Sequence, residues 1–408
     1  MQIDRALAAW WRTRRALRMD RAQMAAARAR AWHKLQPALA QTPALADFAG
    51  KALTAFPITD QSDLRADYGQ WNSLGLSDLH LRCMADAAEH GAATGDLAAG
   101  WSTGTGGGTR GMFVAGSAER ADYIGQSLAR LLAPADLLKR QRIALHLRAA
   151  SSLYSDVRGG RFGFAHLPLA PPIEQTCSEL ELFDPTVLIA PPHRLLAMME
   201  RGLRLRSLRR LFFGSEPLSW AETDALTAHF GLRPRAIYQA TEGFLGFGCM
   251  QGRLHLNDDA LVIELEPVER TAGFRAVITD LHRRSQPVVR VRGDDIIEPT
   301  GEQCPCGYAG RVIAPLAGRV QDVWHLSGRK VLPSQVVAAV EGVLGGTTHW
   351  QAAASAKAIT LRTAPGCAGH DAVTALASLT GRAVPVRAMD DLPPWPGPKR
   401  RKVVWCHD

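Results

Sequence analysis

Residues 101–111 read WSTGTGGGTRG. Glycine is costly inside a helix or strand, so a run this rich in it is a loop. Hydroxyl and guanidinium donors are interleaved with the glycines. Clustered backbone N–H groups and hydroxyls bind phosphate well, and glycines let the main chain approach it closely. The run therefore predicts a polyphosphate site. It is not a Walker loop, which needs G-x-x-x-x-G-K-[ST] and so a lysine that is missing here. Residues 106–111 fit G-x-G-x-x-G, but a dinucleotide fold sets a strand before those glycines and a helix directly after. Here the strand-like MFVAG comes after. A plain surface linker is the alternative.

A second group of residues could hold a metal. Cys304 and Cys306 form C-x-C-G, and Cys249 and His255 lie upstream as C-x5-H. Together they offer four ligands suited to tetrahedral Zn²⁺ in a closed, structural site. Two buried thiols and an ordinary histidine are the alternative. The other cysteines, Cys83, Cys177, Cys367 and Cys406, stand singly.

Elements must position these groups. The chain has 408 residues, 46% of them hydrophobic, enough to bury a large core in more than one domain. No apolar run is long enough to span a bilayer, and the N-terminus lacks the apolar core of a signal peptide. Sparse, odd-numbered cysteines argue for a reducing, cytoplasmic setting. Net charge is +9, yet residues 1–35 alone carry nine Arg/Lys against two Asp. Residues 4–36 have helical composition, and a short helix is expected over Asp60–Asp67. A helix is expected from Ser117 to Leu132. RIALHLR (142–148), PTVLIAPP (185–192), LRRLFF and RAIY read as buried strands, with an irregular, aromatic stretch between the first two. Ser219 and Glu222 form a capping box, and Gly231 stops that helix. The strand–helix–strand order implies parallel pairing with a right-handed crossover. Residues 260–298 alternate as short antiparallel strands, and the pattern changes again after residue 317.

The glycine loop resembles the phosphate loop of adenylate-forming enzymes, the superfamily of acyl-CoA synthetases, adenylation domains and luciferases. Ser102, Thr103, Gly104, Thr105, Gly107, Thr109, Arg110 and Gly111 fit its pattern, with Gly106 where a second threonine is usual. YQATEG (238–243) is similar to the family's Y-G-x-T-E. The resemblance implies that Tyr238 stacks on adenine, Thr241 reaches the α-phosphate and Glu242 holds Mg²⁺. Gln239 replaces the usual glycine. FGSEPLS resembles the turn lining the adenine site, through Ser215 and Glu216. In ITDLHRRSQPVVRVRGDD the implied ribose-binding aspartate is Asp294, with Arg292 in place of threonine. AGRVQDVWHLSGRKVLPSQV implies Arg319 at the nucleotide and Gln321 at the hinge. LPPWPGPKRRK lines up Lys399 with the lysine that neutralises charge during adenylation. Its neighbours Arg400, Arg401 and Lys402 leave that placement open to an adjacent residue.

The resemblance implies an α/β protein. Residues 1–317 would form a large domain of mixed parallel sheets with helices plus a small antiparallel, barrel-like sheet. Residues 318–408 would form a small α+β mobile lid. The compact length and the CPCG element point to the phenylacetate–CoA ligase-like or deazaflavin-AMP synthetase-like branch, some of whose members carry structural zinc. The implied activity is ATP- and Mg²⁺-dependent adenylation of an aromatic or short acyl acid, then transfer to CoA, a carrier protein or an amine. Tyr154, Phe162, Phe164, His166 and Phe244 are candidates for the acyl pocket. Two rivals stand: a nucleotidyl transferase that leaves AMP on a hydroxyl, and a zinc-stapled nucleic-acid binder motivated by the basic N-terminus.

Overall fold

The computed structural model describes residues 2–90, 95–102, 110–147, 161–316, 318–326, 328–345, 347–365, 367, 369–392 and 400–406. Two helices, Ile3–Ala16 and Arg21–Ala40, open the chain. The single helix expected over 4–36 is broken because Asp20 caps a new one, its side chain accepting from Gln23 N at 2.8 Å. Such a cap stabilises a helix start by about 1 kcal/mol. Small residues of the first helix pack on Ser117–Leu131: a Cβ at Gly125 would meet the Ala6 carbonyl at 2.2 Å. Arg5 anchors the pair on Asp122 at 3.0 Å.

Strands β1 (Leu97–Trp101) and β2 (Met112–Gly116) pair antiparallel and flank the glycine loop. Beyond them lies the main sheet. β3 (Gln141–His146), β4 (Phe162–Leu167), β5 (Val187–Ala190), β6 (Arg210–Phe213) and β7 (Arg235–Ala240) run parallel in the order β4-β3-β5-β6-β7. Val187–Ala190 is buried at every position, as expected of a parallel strand covered on both faces. β4 lies in the stretch expected to be irregular. All its residues but the buried Leu167 are only half-buried because it is the sheet edge.

After β7 the chain reverses. β8 (Gly243–Gly248) and β9 (Leu254–Leu256) continue the sheet antiparallel. β10 (Leu261–Pro267), β11 (Phe274–Asp280) and β12 (Val288–Ile297) form the expected separate antiparallel sheet, and β13 (Val312–Ile313) closes the main sheet on β9. β14 (Trp324–Leu326) and β15 (Arg329–Val331) form a hairpin. It is followed by β16 (Trp350–Ala354), β17 (Ile359–Thr363), β18 (Val386–Met389) and β19 (Val403–Trp405), a sheet ordered β18-β17-β16-β19. Trp324, Trp350, Val336 and Leu361 give this carboxyl-terminal part a core of its own.

An ion network ties that part to the main sheet. Arg400 donates through Nε to Glu216 and through Nη1 to Glu222, both at 2.6 Å. Lys402 bridges Glu222 at 3.0 Å and Glu341 at 2.6 Å. Glu222 starts the helix Trp220–Phe230, while Glu341 belongs to Pro333–Leu344. Burial pushes the Glu222 carboxyl up, but Arg400 and Lys402 outweigh it and hold it at about 2. Removing one partner of such a buried pair costs about 3–5 kcal/mol, so Glu222→Gln should lower Tm markedly. A carboxyl depressed this far contributes about 3 kcal/mol, complete above pH about 4.3 and lost as pH falls toward 2. The gap in Tm between wild type and Glu222→Gln should therefore close across that interval in pH-dependent thermal melts.

Candidate active site and metal centre

The two motifs richest in chemistry meet at one point. A Cβ on Gly111 would lie 2.8 Å from Thr241 Oγ1. Only glycine admits this contact between the exit of the donor-rich loop and the turn after β7. The neck of the loop is pinned. Ser102 N donates to Gly111 O at 2.7 Å, and Gly111 N donates to Ser102 Oγ at 3.0 Å. The Tyr68 hydroxyl accepts from Met112 N at 3.0 Å. Arg110 braces the same neck, donating to the Ser102 carbonyl at 2.8 Å and to Glu89 at 3.0 Å. Its guanidinium is thus engaged by protein where a phosphate contact was expected. Thr103, Gly104, Thr105, Gly107 and Thr109 lie outside the described residues, as do Tyr154 and Lys399.

Behind Gly111 lies a small pocket lined by Gln61, Gly111, Thr241, Glu242, Arg283 and Gln286 among others. Glu242 is 4% exposed, and Gln61, first residue of the short helix Gln61–Ala66, donates to it. That helix matches the one expected over Asp60–Asp67. Burial is the main cause that pushes the Glu242 carboxyl up to about 7, and the carboxylates of Asp294 and Asp295 add to it. A hard divalent cation at this oxygen would reverse that balance, so a buried, anion-crowded carboxylate fits Mg²⁺.

Tyr238 is buried in the core between β7 and the β10–β12 sheet. Burial raises its hydroxyl pKa well above the ordinary value, and its hydrogen bond to Asp295 acts in the same direction. Asp295 also faces Arg319, with Nε to Oδ1 at 3.8 Å and a backbone bridge between the two residues. Asp294, the residue expected at the ribose, points elsewhere: it is half-exposed and meets Arg275 at 3.4 Å. Successive side chains of a strand face opposite sides. The tyrosine–aspartate–arginine cluster is therefore built on Asp295, the neighbour of the residue expected at the ribose. The RGDD doublet offers two aspartates, and only strand pairing separates them.

Ser215 adopts a left-handed φ of 74° in the GSEP turn. Glu216 is almost fully buried between His193 Nδ1 and Arg400. The turn thus carries an ion-pair node. Gln321 occupies a single 3-10 turn, Val320–Asp322, and its neighbour Asp322 is buried against Arg401. Phe162 and Phe164 pack beside β3. Phe244 is core, against Phe247, Cys249 and Tyr308.

The metal candidates converge as the spacing predicted. One ligand atom from each of Cys249, His255, Cys304 and Cys306 lies within 4.8 Å of the others. Cys249 and Cys304 sulfurs are 3.7 Å apart, close to the edge of a ZnS tetrahedron with bonds of about 2.3 Å. Cys306 Sγ is 3.4 Å from His255 Nε2. His255 Nδ1 is bonded to the Gly310 carbonyl at 2.9 Å. A donor at Nδ1 leaves the Nε2 lone pair for a metal. Burial, then the neighbouring thiols Cys249 and Cys304, pushes the Cys306 thiol up to about 12, as crowded sulfurs require when no cation is present. The donor set fits Zn²⁺.

No family model matches the chain. Over 187 residues it is 26% identical to phenylacetate–coenzyme A ligase of Thermus thermophilus, covering 41% of this chain and 42% of that relative. The match spans less than half of the relative's length. A crystal structure of 2-hydroxyisobutyryl-CoA ligase in the postadenylation state superposes with a TM-score of 0.71, at 16% identity, over 97% of this chain and 91% of that one. The same ligase in an open conformation gives 0.56 at 16% identity over 98% and 91%. An amide bond synthetase from Marinactinospora thermotolerans gives 0.54 at 14% identity over 73% and 66%. Among the described residues no helix is long and apolar enough to cross a membrane. The chain has the fold of the adenylate-forming ligases and, with it, a sequence resemblance to their phenylacetate–CoA ligase-like branch.

Proposed function

We propose that this protein is an adenylate-forming ligase. It would join a carboxylic acid to ATP as an acyl-AMP, then pass the acyl group to CoA or another thiol or amine. The observation that carries this reading is the single cleft in which Gly111 touches Thr241, beside buried Glu242 and the Tyr238–Asp295–Arg319 cluster.

Carboxylates resist nucleophiles because oxide is a poor leaving group, and adenylation removes that obstacle. The acid's oxygen attacks the α-phosphorus, the bond to the β-phosphate breaks and pyrophosphate leaves. The acceptor then attacks the acyl carbon and AMP departs. The loop from Ser102 to Gly111 would grip the polyphosphate, and Thr241 would donate to the α-phosphate. Asp295 accepts from both ribose hydroxyls in this reading, oriented by Tyr238 and Arg319. Mg²⁺ at Glu242 would offset phosphate charge. Lys399 would neutralise the attacking carboxylate. Residues 1–317 would form the body and 318–408 a lid. The four-ligand cluster would hold Zn²⁺ with no open position, stapling β8 and β9 to the segment before β13.

An acid panel with hydroxylamine trapping should yield a hydroxamate for an aromatic or short acyl acid, and no adenylate from any acid would remove the reading. Asp295→Asn should weaken pyrophosphate exchange by about 10²–10³-fold while Asp294→Asn stays near wild type. The reverse order would restore the assignment to Asp294. Lys399→Ala should lose exchange by a similar factor yet still bind ATP. Elemental analysis should find one zinc per chain, lost together with thermal stability in Cys306→Ser. Zinc-free wild-type protein of full stability would refute the staple.

A further inference from the structure

The cleft contains a cation that the reaction scheme has not used. Arg283 is partly buried and lines the cavity with Gly111, Thr241 and Glu242. Its Nη1 donates to the Thr241 carbonyl and its Nη2 to Gln286 Oε1, both neutral oxygens. Asp280, Glu119 and Glu242 act on it only through space. Arg130 and Arg311, by contrast, sit in direct pairs on Asp259 and Asp258, while Arg235, at the start of β7, also meets only neutral acceptors.

The orientation of this guanidinium is built in. The Gln286 side chain accepts from Val114 N at 3.0 Å and donates to the Met112 carbonyl at 3.2 Å. Those two β2 residues directly follow the glycine loop. One side of the Arg283 fork is therefore referenced to the loop exit and the other to the turn after β7. A charge partly withdrawn from water without a direct counter-ion is costly. A guanidinium has five donors in a rigid plane, suited to two-point binding of an oxyanion.

We propose that Arg283 is an oxyanion receptor of the cleft, taking the terminal phosphate oxygens of ATP and of departing pyrophosphate. The inference rests on the nucleotide reading above. Position favours phosphate over the other oxyanion in the reaction, the acid's carboxylate, because the fork sits at the exit of the donor-rich loop. A receptor there stabilises charge that grows on pyrophosphate as the bond to the α-phosphate breaks.

Calorimetric titration of the full-length protein tests it, with MgATP, magnesium pyrophosphate and AMP as probes. Arg283→Met should bind ATP and pyrophosphate about 10–100-fold more weakly, the value of one or two charge-assisted hydrogen bonds. AMP, which lacks the terminal phosphates, should bind within about twofold of wild type, inside ordinary non-additivity. Arg283→Lys keeps the charge but loses the fork, and should recover only part of the pyrophosphate affinity. If Arg283→Met fails to fold, the lysine variant decides by the same comparison. Unchanged pyrophosphate binding with weakened binding of phenylacetate, used as a carboxylate probe, would assign the receptor to the acid and overturn the phosphate role. Equal weakening of AMP and pyrophosphate would reduce Arg283 to a structural part and overturn the proposal. Wild-type protein that binds none of the three would remove the nucleotide reading itself.

Discussion

One absent methyl group sets the geometry of this cleft. Because residue 111 is glycine, the exit of the donor-rich loop lies against Thr241, and a Cβ there would stand 2.8 Å from Oγ1. Everything else in the site is arranged about this contact. The β1–β2 ladder and the Ser102–Gly111 bonds fix the loop side. On the other side, the reversal from parallel β7 to antiparallel β8 presents Thr241 and Glu242 at the carboxyl end of the sheet, where open parallel sheets place ligands. Arg283 and Gln286 then span the two.

Motifs whose chemistry is local were readable in the sequence. The glycine run, the Ser219–Glu222 cap and the cysteine–histidine spacing each state their business within a few residues, and the cap and the metal cluster appear in the structure as expected. The β10–β12 sheet and the parallel core likewise follow from short apolar runs with β-branched residues. Other features depend on contacts between distant segments. Which aspartate of Asp294 and Asp295 turns toward Tyr238 depends on strand facing, and a one-residue slip reverses it. The break near Asp20 was hidden by strong helical composition on both sides. β4 looks irregular because an edge strand needs no apolar alternation on its open side.

Electrostatics were the least readable part. KRRK near the C-terminus reads as a solvated basic tail, yet Arg400 is buried between Glu216 and Glu222. Arg283 sits in the polar run HRRSQ, and it is partly buried all the same. Charge in a sequence gives no sign of burial until a partner element arrives, and the carboxylates that meet Arg400 are 184 and 178 positions away.

The Arg400 node has a mechanical consequence. Two residues beyond Lys402, β19 is hydrogen-bonded in parallel to β16, with Val404 opposite Ala353. The basic tail therefore leads directly into the edge strand of a sheet rather than a loose string. A lid of residues 318–408, as proposed above, would have to unseat Arg400 from Glu216 and Glu222 in order to move.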